Sequence, residues 1–177
     1  MKLYITRHGQ TDGNVYRIMD GIRNIDLNET GKEQARITRD NLSKINFDLI
    51  ICSPLTRTKH TMEIINKNGC SVIFDERIME RDCGEFTGKS FDSLDRDLYW
   101  NYHDQTIYEK AEGMEHFFNR VYEFLDEIKE KYKGKTILLV THSGVTKVIN
   151  CYFNGIPEDG DLQTLELDNC EVKTYQI

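Results

Sequence analysis

Leu3-Tyr4-Ile5-Thr6-Arg7-His8-Gly9-Gln10-Thr11 reads as a short buried strand that runs straight into a glycine turn. Leu3, Tyr4 and Ile5 have the aromatic and β-branched character of strand residues. Gly9 lets the backbone turn sharply or come close to a ligand. Chemistry placed at the C-terminal end of a strand in an open α/β sheet sits where such folds bind ligands. Arg7 is a permanent cation with a planar fork suited to phosphate or carboxylate, and His8 beside it can serve as base, acid or nucleophile. Alone the tripeptide is a weak signal, since a histidine is often an ordinary core residue.

The rest of the chain repeats the arrangement. Residues 47–52 form a second apolar run, read as a parallel strand buried on both faces. It ends in Ser53-Pro54, a helix-start signal that leaves Arg57 near the N-terminus of the helix that follows. Thr136–Thr141 is the clearest buried strand, and His142-Ser143-Gly144 follows it directly, with a helix expected over 145–153. Further strands are expected at 71–74, around 162–167 and at 172–176, with helices from about 28 or 30 to 45 and over Met114–Lys131. Residues 12–28 read as polar and irregular, with Asn14 and Arg17 as potential anion contacts. Strands alternating with helices give an α/β fold with a mainly parallel sheet. In such a sheet the C-terminal strand ends share one edge, so Arg7-His8, Ser53 to Arg57 and His142-Ser143 should converge.

Composition narrows the functional classes. A chain of 177 residues, 38% hydrophobic and 30% charged, suits one globular domain over 1–177. The net charge of −7 argues against nucleic acid as a partner, because that affinity rests on clustered Lys and Arg. Cys52, Cys70, Cys83, Cys151 and Cys170 are odd in number and scattered, the pattern of reduced thiols. No run has the length of a membrane span, and residues 1–6 are too short for a signal-peptide core. The expectation is a cytoplasmic protein.

Two histidines and two arginines meeting at helix N-termini make an anion site. With a phosphoryl group bound, one imidazole can attack phosphorus while the other donors hold its oxygens. A carboxylic acid would then protonate the leaving alcohol, and Glu80, Asp82 and Glu85 share one loop as candidates. No His/Cys/Asp cluster has metal-ligand spacing, so neither metal nor cofactor is expected. Thr141-His142-Ser143-Gly144 fails the nucleophile-elbow pattern for want of a glycine at 141. No phosphate-cradling Gly-x-x-x-x-Gly-Lys-Ser/Thr loop is present either.

Arg7-His8-Gly9-Gln10-Thr11 with Asn14 resembles the Arg-His-Gly-x-Thr-x-x-Asn signature of the histidine phosphatase superfamily, the phosphoglycerate mutase-like family. Gly21, Leu27, Gly31, Gln34 and Ala35 follow its next stretch. Ser53, Leu55, Arg57 and Thr61 match its Ser-x-Leu-x-Arg-x-x-x-Thr helix. Glu80, Gly84, Phe86 and Gly88 match its acidic loop, and Val140 to Gly144 its second-histidine turn. The resemblance implies a three-layer α/β/α sandwich with one antiparallel strand and a phosphohistidine intermediate. It implies His8 as nucleophile, Arg7, Arg57 and His142 as phosphoryl ligands with Asn14 assisting, and Glu80 as proton donor. Asn24, Asp26, Asn28, Met62, Cys83 and Lys147 depart from the usual family residues, and none is in the implied catalytic set.

Residues 89–112 read as a short lid-like insert. It holds more acids (Asp92, Asp95, Asp97, Asp104, Glu109, Glu112) than bases (Lys89, Arg96, Lys110). Mutases of the family carry a longer, more basic lid, so a hydrolase is expected over an isomerase, with like-charge repulsion disfavouring a second phosphate. The expected activity is a metal-independent phosphomonoesterase of the histidine acid phosphatase type. Its partner would be a small phosphorylated metabolite such as α-ribazole phosphate or a sugar phosphate. The alternatives are a phosphoglycerate mutase and a non-enzymatic phosphate-binding module. Tyr99, Trp100, Tyr102 and Tyr108 either pack the insert or cover an organic leaving group. His60, His103 and His116 read as surface or packing histidines, although His103 joins Tyr99 and Trp100 as a candidate lid residue.

Overall fold

The computed structural model describes residues 1–104, 108 and 110–177, so Glu109 of the insert lies outside the described residues. Its strands are β1 (Lys2–Arg7), β2 (Leu49–Cys52), β3 (Val72–Phe74), β4 (Thr136–Thr141) and β5 (Val172–Gln176). Its helices are α1 (Asp12–Val15), α2 (Glu29–Leu42), α3 (Thr56–Ile65), α4 (Arg96–Tyr99), α5 (Met114–Lys131) and α6 (Ser143–Asn154). The five strands lie in the order β3-β2-β4-β1-β5, and only β5 is antiparallel to its neighbour.

The period of two explains the unbroken apolar runs in the central strands. Leu3 and Ile5 of β1, Leu49 and Ile51 of β2, and Ile137 and Leu139 of β4 face one layer, packed against α5 and α6. Tyr4, Ile50, Cys52, Leu138 and Val140 face the other, packed against Leu42 of α2 and Met62 and Ile65 of α3. The result is the expected three-layer sandwich. Helix α5 supplies the largest apolar stripe, with Phe117, Val121, Phe124, Leu125 and Ile128 recurring at helical spacing and fully or nearly fully buried. Among the described residues, no helix is long and apolar enough to cross a membrane.

Several expected boundaries move. Asn28 caps α2 through Gly31 N–H at 2.9 Å, and the helix ends at Leu42 rather than 45. Residues 12–15 are a one-turn helix, because Thr11 and Asn14 form a reciprocal capping box. Helix α3 starts at Thr56, since Ser53 turns its hydroxyl to His142, the N-cap residue is Leu55, and the Thr56 N–H donates to Asn24 Oδ1 at 3.1 Å. The expected strand at 162–167 is instead a 3₁₀ turn, Gln163–Leu165. Its backbone is already committed to α6. Lys147 Nζ donates to the Leu162 and Gln163 carbonyls, and Leu167 N–H donates to Thr146 Oγ1.

What positions the site is the centre of the sheet. Strands β1 and β4 are neighbours, and the helices that follow them go to opposite faces, α2 to one and α6 to the other. A crevice opens where connections diverge in this way. The register pairs Arg7 with Thr141, and His8 N–H continues the ladder to Thr141 O at 2.9 Å, so His8 and His142 emerge side by side.

The turn after β1 is pressed backbone to backbone against α2. A Cβ at Gly31 would lie 2.1 Å from Gln10 O, and one at Gly9 would lie 2.4 Å from Gly31 O. Neither neighbour is a flexible side-chain tip that can swing away. Gly31→Ala should therefore lose about 1–2 kcal/mol net, overpacking outweighing the roughly 1 kcal/mol gained in helix propensity. Urea unfolding checks this, and a raised midpoint would show that the contact yields.

Candidate active site

His8 sits just past β1, buried, with each ring nitrogen engaged. Nδ1 lies 2.7 Å from the Gly9 carbonyl, which only accepts, so the ring proton belongs on Nδ1. Nε2 then carries the lone pair and accepts from Arg57 Nε at 3.2 Å. Burial first, then the Arg57 and Arg7 cations, hold the imidazole well below its ordinary 6.5, in the neutral form. Gly9 N–H donates to Thr61 Oγ1 at 3.0 Å, and Thr61 donates to Arg57 O at 2.7 Å, tying the turn to α3.

His142 caps α6 with its ring 5.3 Å from that of His8, centroid to centroid. Its Nε2 lies 2.7 Å from Ser53 Oγ at the end of β2. Burial and the neighbouring Arg57 lower its pKa well below 6.5 as well. Nδ1 is buried without a partner among the described residues, and so is Arg7 Nε. Buried polar atoms are ordinarily paired, so Arg7 Nε, a donor, and His142 Nδ1, a donor in the tautomer in which Ser53 Oγ donates to Nε2, suit an incoming anion.

The arginines are held by carbonyls. Arg57 donates to Gly21 O and Arg23 O, both at 2.8 Å, and Arg7 donates to Leu167 O at 3.0 Å. Asn14 Oδ1 accepts from Thr11 N–H at 3.1 Å and from Asn169 Nδ2 at 3.2 Å, which leaves the Asn14 amide NH₂ as the donor end. Glu80 enters from the loop after β3. Its Oε2 accepts from Gly144 N–H at 3.1 Å and its Oε1 from Arg81 N–H at 2.9 Å. That loop is clamped from behind by Arg120 of α5, which donates to the carbonyls of Arg77, Met79 and Glu80. Glu112 fixes Arg120 in turn, at 2.6 and 2.8 Å.

Arg7, His8, Asn14, Arg57 and Glu80 line one cavity of about 290 Å³, at the C-terminal edge of the sheet, with His142 buried behind His8. Tyr99 and Trp100 are buried and form part of its wall. His103 is exposed and lies outside it, packed edge-on against Tyr102 near Gly160. Arg17 is at the cavity with an ion pair to Asp92, as a surface cation would be. Arg81 is buried. It donates to Tyr99 O and Glu112 O and lies 4.1 Å from the Tyr99 ring centroid.

Residues with no chemical reading in the sequence complete the site. Ser53 looked like a helix start and instead holds His142. Asn169 donates to the His8 carbonyl and to Asn14 from the far end of the chain. Its isolation in the sequence left no signal. Arg120 carried only one, a cation placed beside the apolar stripe of α5. Asp20 and Glu166 also line the cavity, Glu166 being held by Lys147 at 2.7 Å and by Ser143 at 2.6 Å.

Known proteins resemble this chain over nearly its whole length. Phosphoserine phosphatase 1 of Hydrogenobacter thermophilus is 27% identical over 184 residues, covering 100% of this chain and 85% of the relative. The uncharacterized phosphatase PhoE of Bacillus subtilis is 31% identical over 166 residues, covering 93% and 82%. Among solved structures, the α-ribazole phosphatase of Shigella flexneri superposes with a TM-score of 0.87 at 26% identity, covering 100% of this chain and 91% of its own. The family model for the histidine phosphatase superfamily, branch 1, matches residues 3–177, and the chain belongs to that superfamily.

Proposed function

We propose that the protein is a phosphomonoesterase that works through a phosphohistidine on His8. The observation that carries the reading is a neutral His8 whose Nε2 carries the lone pair beside Arg57, lining a pocket where Arg7 and Arg57 have no carboxylate ion pair among the described residues. Nε2 attacks phosphorus as the ester P–O bond breaks. Arg7, Arg57, Asn14 and His142 Nδ1–H hold the remaining phosphoryl oxygens, whose charge shifts in the transition state. Glu80 gives its proton to the leaving oxygen. Water then attacks the phosphohistidine, Glu80 takes the water proton, and inorganic phosphate leaves with His8 restored.

The cations in the pocket supply the charge that a metal supplies in other phosphatases, so the reaction needs no metal. Hydrolysis over mutase chemistry rests on the short insert of residues 89–112, which holds more acids than bases and so disfavours a second phosphate. The relatives' names attach phosphatase activity to two different esters, so they support the reaction without choosing a substrate. A small phosphorylated metabolite fits the cavity volume. The five free cysteines support a reducing, cytoplasmic setting.

The wild type should release phosphate from p-nitrophenyl phosphate in the presence of EDTA and form an acid-labile phosphoryl adduct, and His8→Ala should lose both. EDTA-sensitive turnover, or turnover retained by His8→Ala, would reject the mechanism. Because its pKa is depressed well below 6.5, His8 stays neutral through the ordinary histidine range and becomes protonated only at lower pH. Arg57→Gln removes one depressing charge and should move that titration upward, read from the ring nitrogens by ¹H–¹⁵N NMR. An unshifted titration would count against the assigned cause. Arg120→Met should loosen the Glu80 loop and cut kcat/KM for alkyl phosphates by roughly 10–100-fold. p-Nitrophenyl phosphate, whose leaving group needs little protonation, should suffer less. Equal losses on both would make Arg120 a merely structural residue.

A further inference from the structure

Lys147 is a buried cation of α6 that the phosphoryl-transfer steps leave unused. Its ammonium commits three donors, to Leu162 O at 3.1 Å, Gln163 O at 2.8 Å and Glu166 Oε2 at 2.7 Å. The same Glu166 oxygen accepts from Ser143 Oγ at 2.6 Å. Glu166 is therefore a cavity-lining carboxylate tethered from behind at one oxygen by a lysine and a serine. Burying an ammonium is costly unless it is paired. A methionine would fill much the same space against Trp100, so packing alone does not call for a cation here.

The tether matters because of what stands next to Glu166. Arg7 NH1 donates to the carbonyl of Leu167, the very next residue, and Arg7 and Glu166 line the same cavity. Burial lowers the Arg7 pKa, and of the carboxylates that oppose that shift Glu166 acts most strongly. Yet the two form no ion pair among the described residues, and Arg7 Nε is buried without a partner. A carboxylate fits the planar fork of a guanidinium as well as a phosphoryl group does. A released Glu166 would thus compete with the anion for Arg7.

We infer that Lys147 is a positioning residue that holds Glu166 away from Arg7 and so keeps the phosphoryl end of the cavity cationic. The inference rests on the phosphomonoesterase reading in one respect, that the anion Arg7 receives is the phosphoryl group. Lys147 touches no reacting atom and acts only through Glu166. Ser143 is the second, weaker tether.

Binding of inorganic phosphate, followed by ³¹P NMR, tests this without turnover. Lys147→Met should weaken phosphate by about 10–100-fold, the range of a charge-assisted hydrogen-bonded pair. The double variant Lys147→Met/Glu166→Gln should regain most of that loss, because the competing carboxylate is gone. Lys147→Arg, which keeps the charge, should lose little. KM for p-nitrophenyl phosphate should rise in Lys147→Met and recover in the double variant. A purely structural lysine predicts the reverse, since neutralising Glu166 as well removes a further contact and rescues nothing. Wild-type phosphate affinity in Lys147→Met, or a double variant no better than the single one, would overturn the inference. If Lys147→Met does not fold, Ser143→Ala carries the same test. Weakened phosphate binding that Glu166→Gln restores supports the tether, and unchanged binding overturns it. Those failures leave wild-type turnover of p-nitrophenyl phosphate, and the phosphatase reading, standing. Phosphate binding with no release from any ester would reject that reading alone, and a wild type that binds no phosphate would reject both.

Discussion

Arg7 and Arg57 are largely buried, and the partners they touch are carbonyl oxygens and an imidazole rather than carboxylates. A buried guanidinium is costly unless its charge is matched. Arg120 is matched by Glu112, and Lys147 by Glu166, each at 2.6–2.7 Å. Around the cavity, by contrast, Arg7, Arg57 and Arg81 are held by carbonyls, and on the proposed mechanism a dianion completes the phosphoryl end. Burial first, and then the same field, keep His8 and His142 neutral. On the proposed mechanism, binding and nucleophile activation are therefore one electrostatic arrangement.

The sheet makes that arrangement possible. Buried charge needs a rigid surround, and both faces of β1, β2 and β4 are packed on helices. The close backbone approach of Gly9 and Gly31 seats the His8 turn on α2. Gly144 does the equivalent on the other side. A Cβ there would lie 2.2 Å from Glu80 Oε1 and 2.8 Å from Trp100 Cη2. The start of α6 thus has room for both the acid and the wall residue only because position 144 has no side chain.

Much of this was legible in the letters because it depends on short-range patterns. Strand hydrophobicity, the glycine turn and the histidine or arginine just beyond each strand are local, and parallel pairing then forces the ends together. The errors arose where partners are remote. Ser53 carries the same residue type whether it caps a helix or holds His142, and only the register between β2 and β4 decides. Residues 162–167 have strand-like alternation, but Lys147 and Thr146 claim their backbone groups first. Arg120 and Asn169 act across 40 and 161 residues of chain, on Glu80 and His8 respectively, so no window in the sequence contains both members.

Among the described residues, the insert contributes Phe91, Arg96, Tyr99 and Trp100 to the cavity wall. Residues 17–19 and 88–91 exchange backbone hydrogen bonds, Met19 N–H to Lys89 O, Gly88 N–H to Met19 O and Phe91 N–H to Arg17 O. The loop that carries Gly21, a carbonyl partner of Arg57, is thereby joined to the segment that carries Phe91 and Arg96. Tyr99 and Trp100 pack the middle of the insert against Arg81 and Lys147. Arg81 N–H in turn holds Glu80 Oε1. The phosphoryl site, the acid and the leaving-group wall are thus linked through short backbone contacts. A change in the insert would reach Glu80 through Arg81 and Trp100, so on the proposed mechanism leaving-group selection and leaving-group protonation depend on the same few residues.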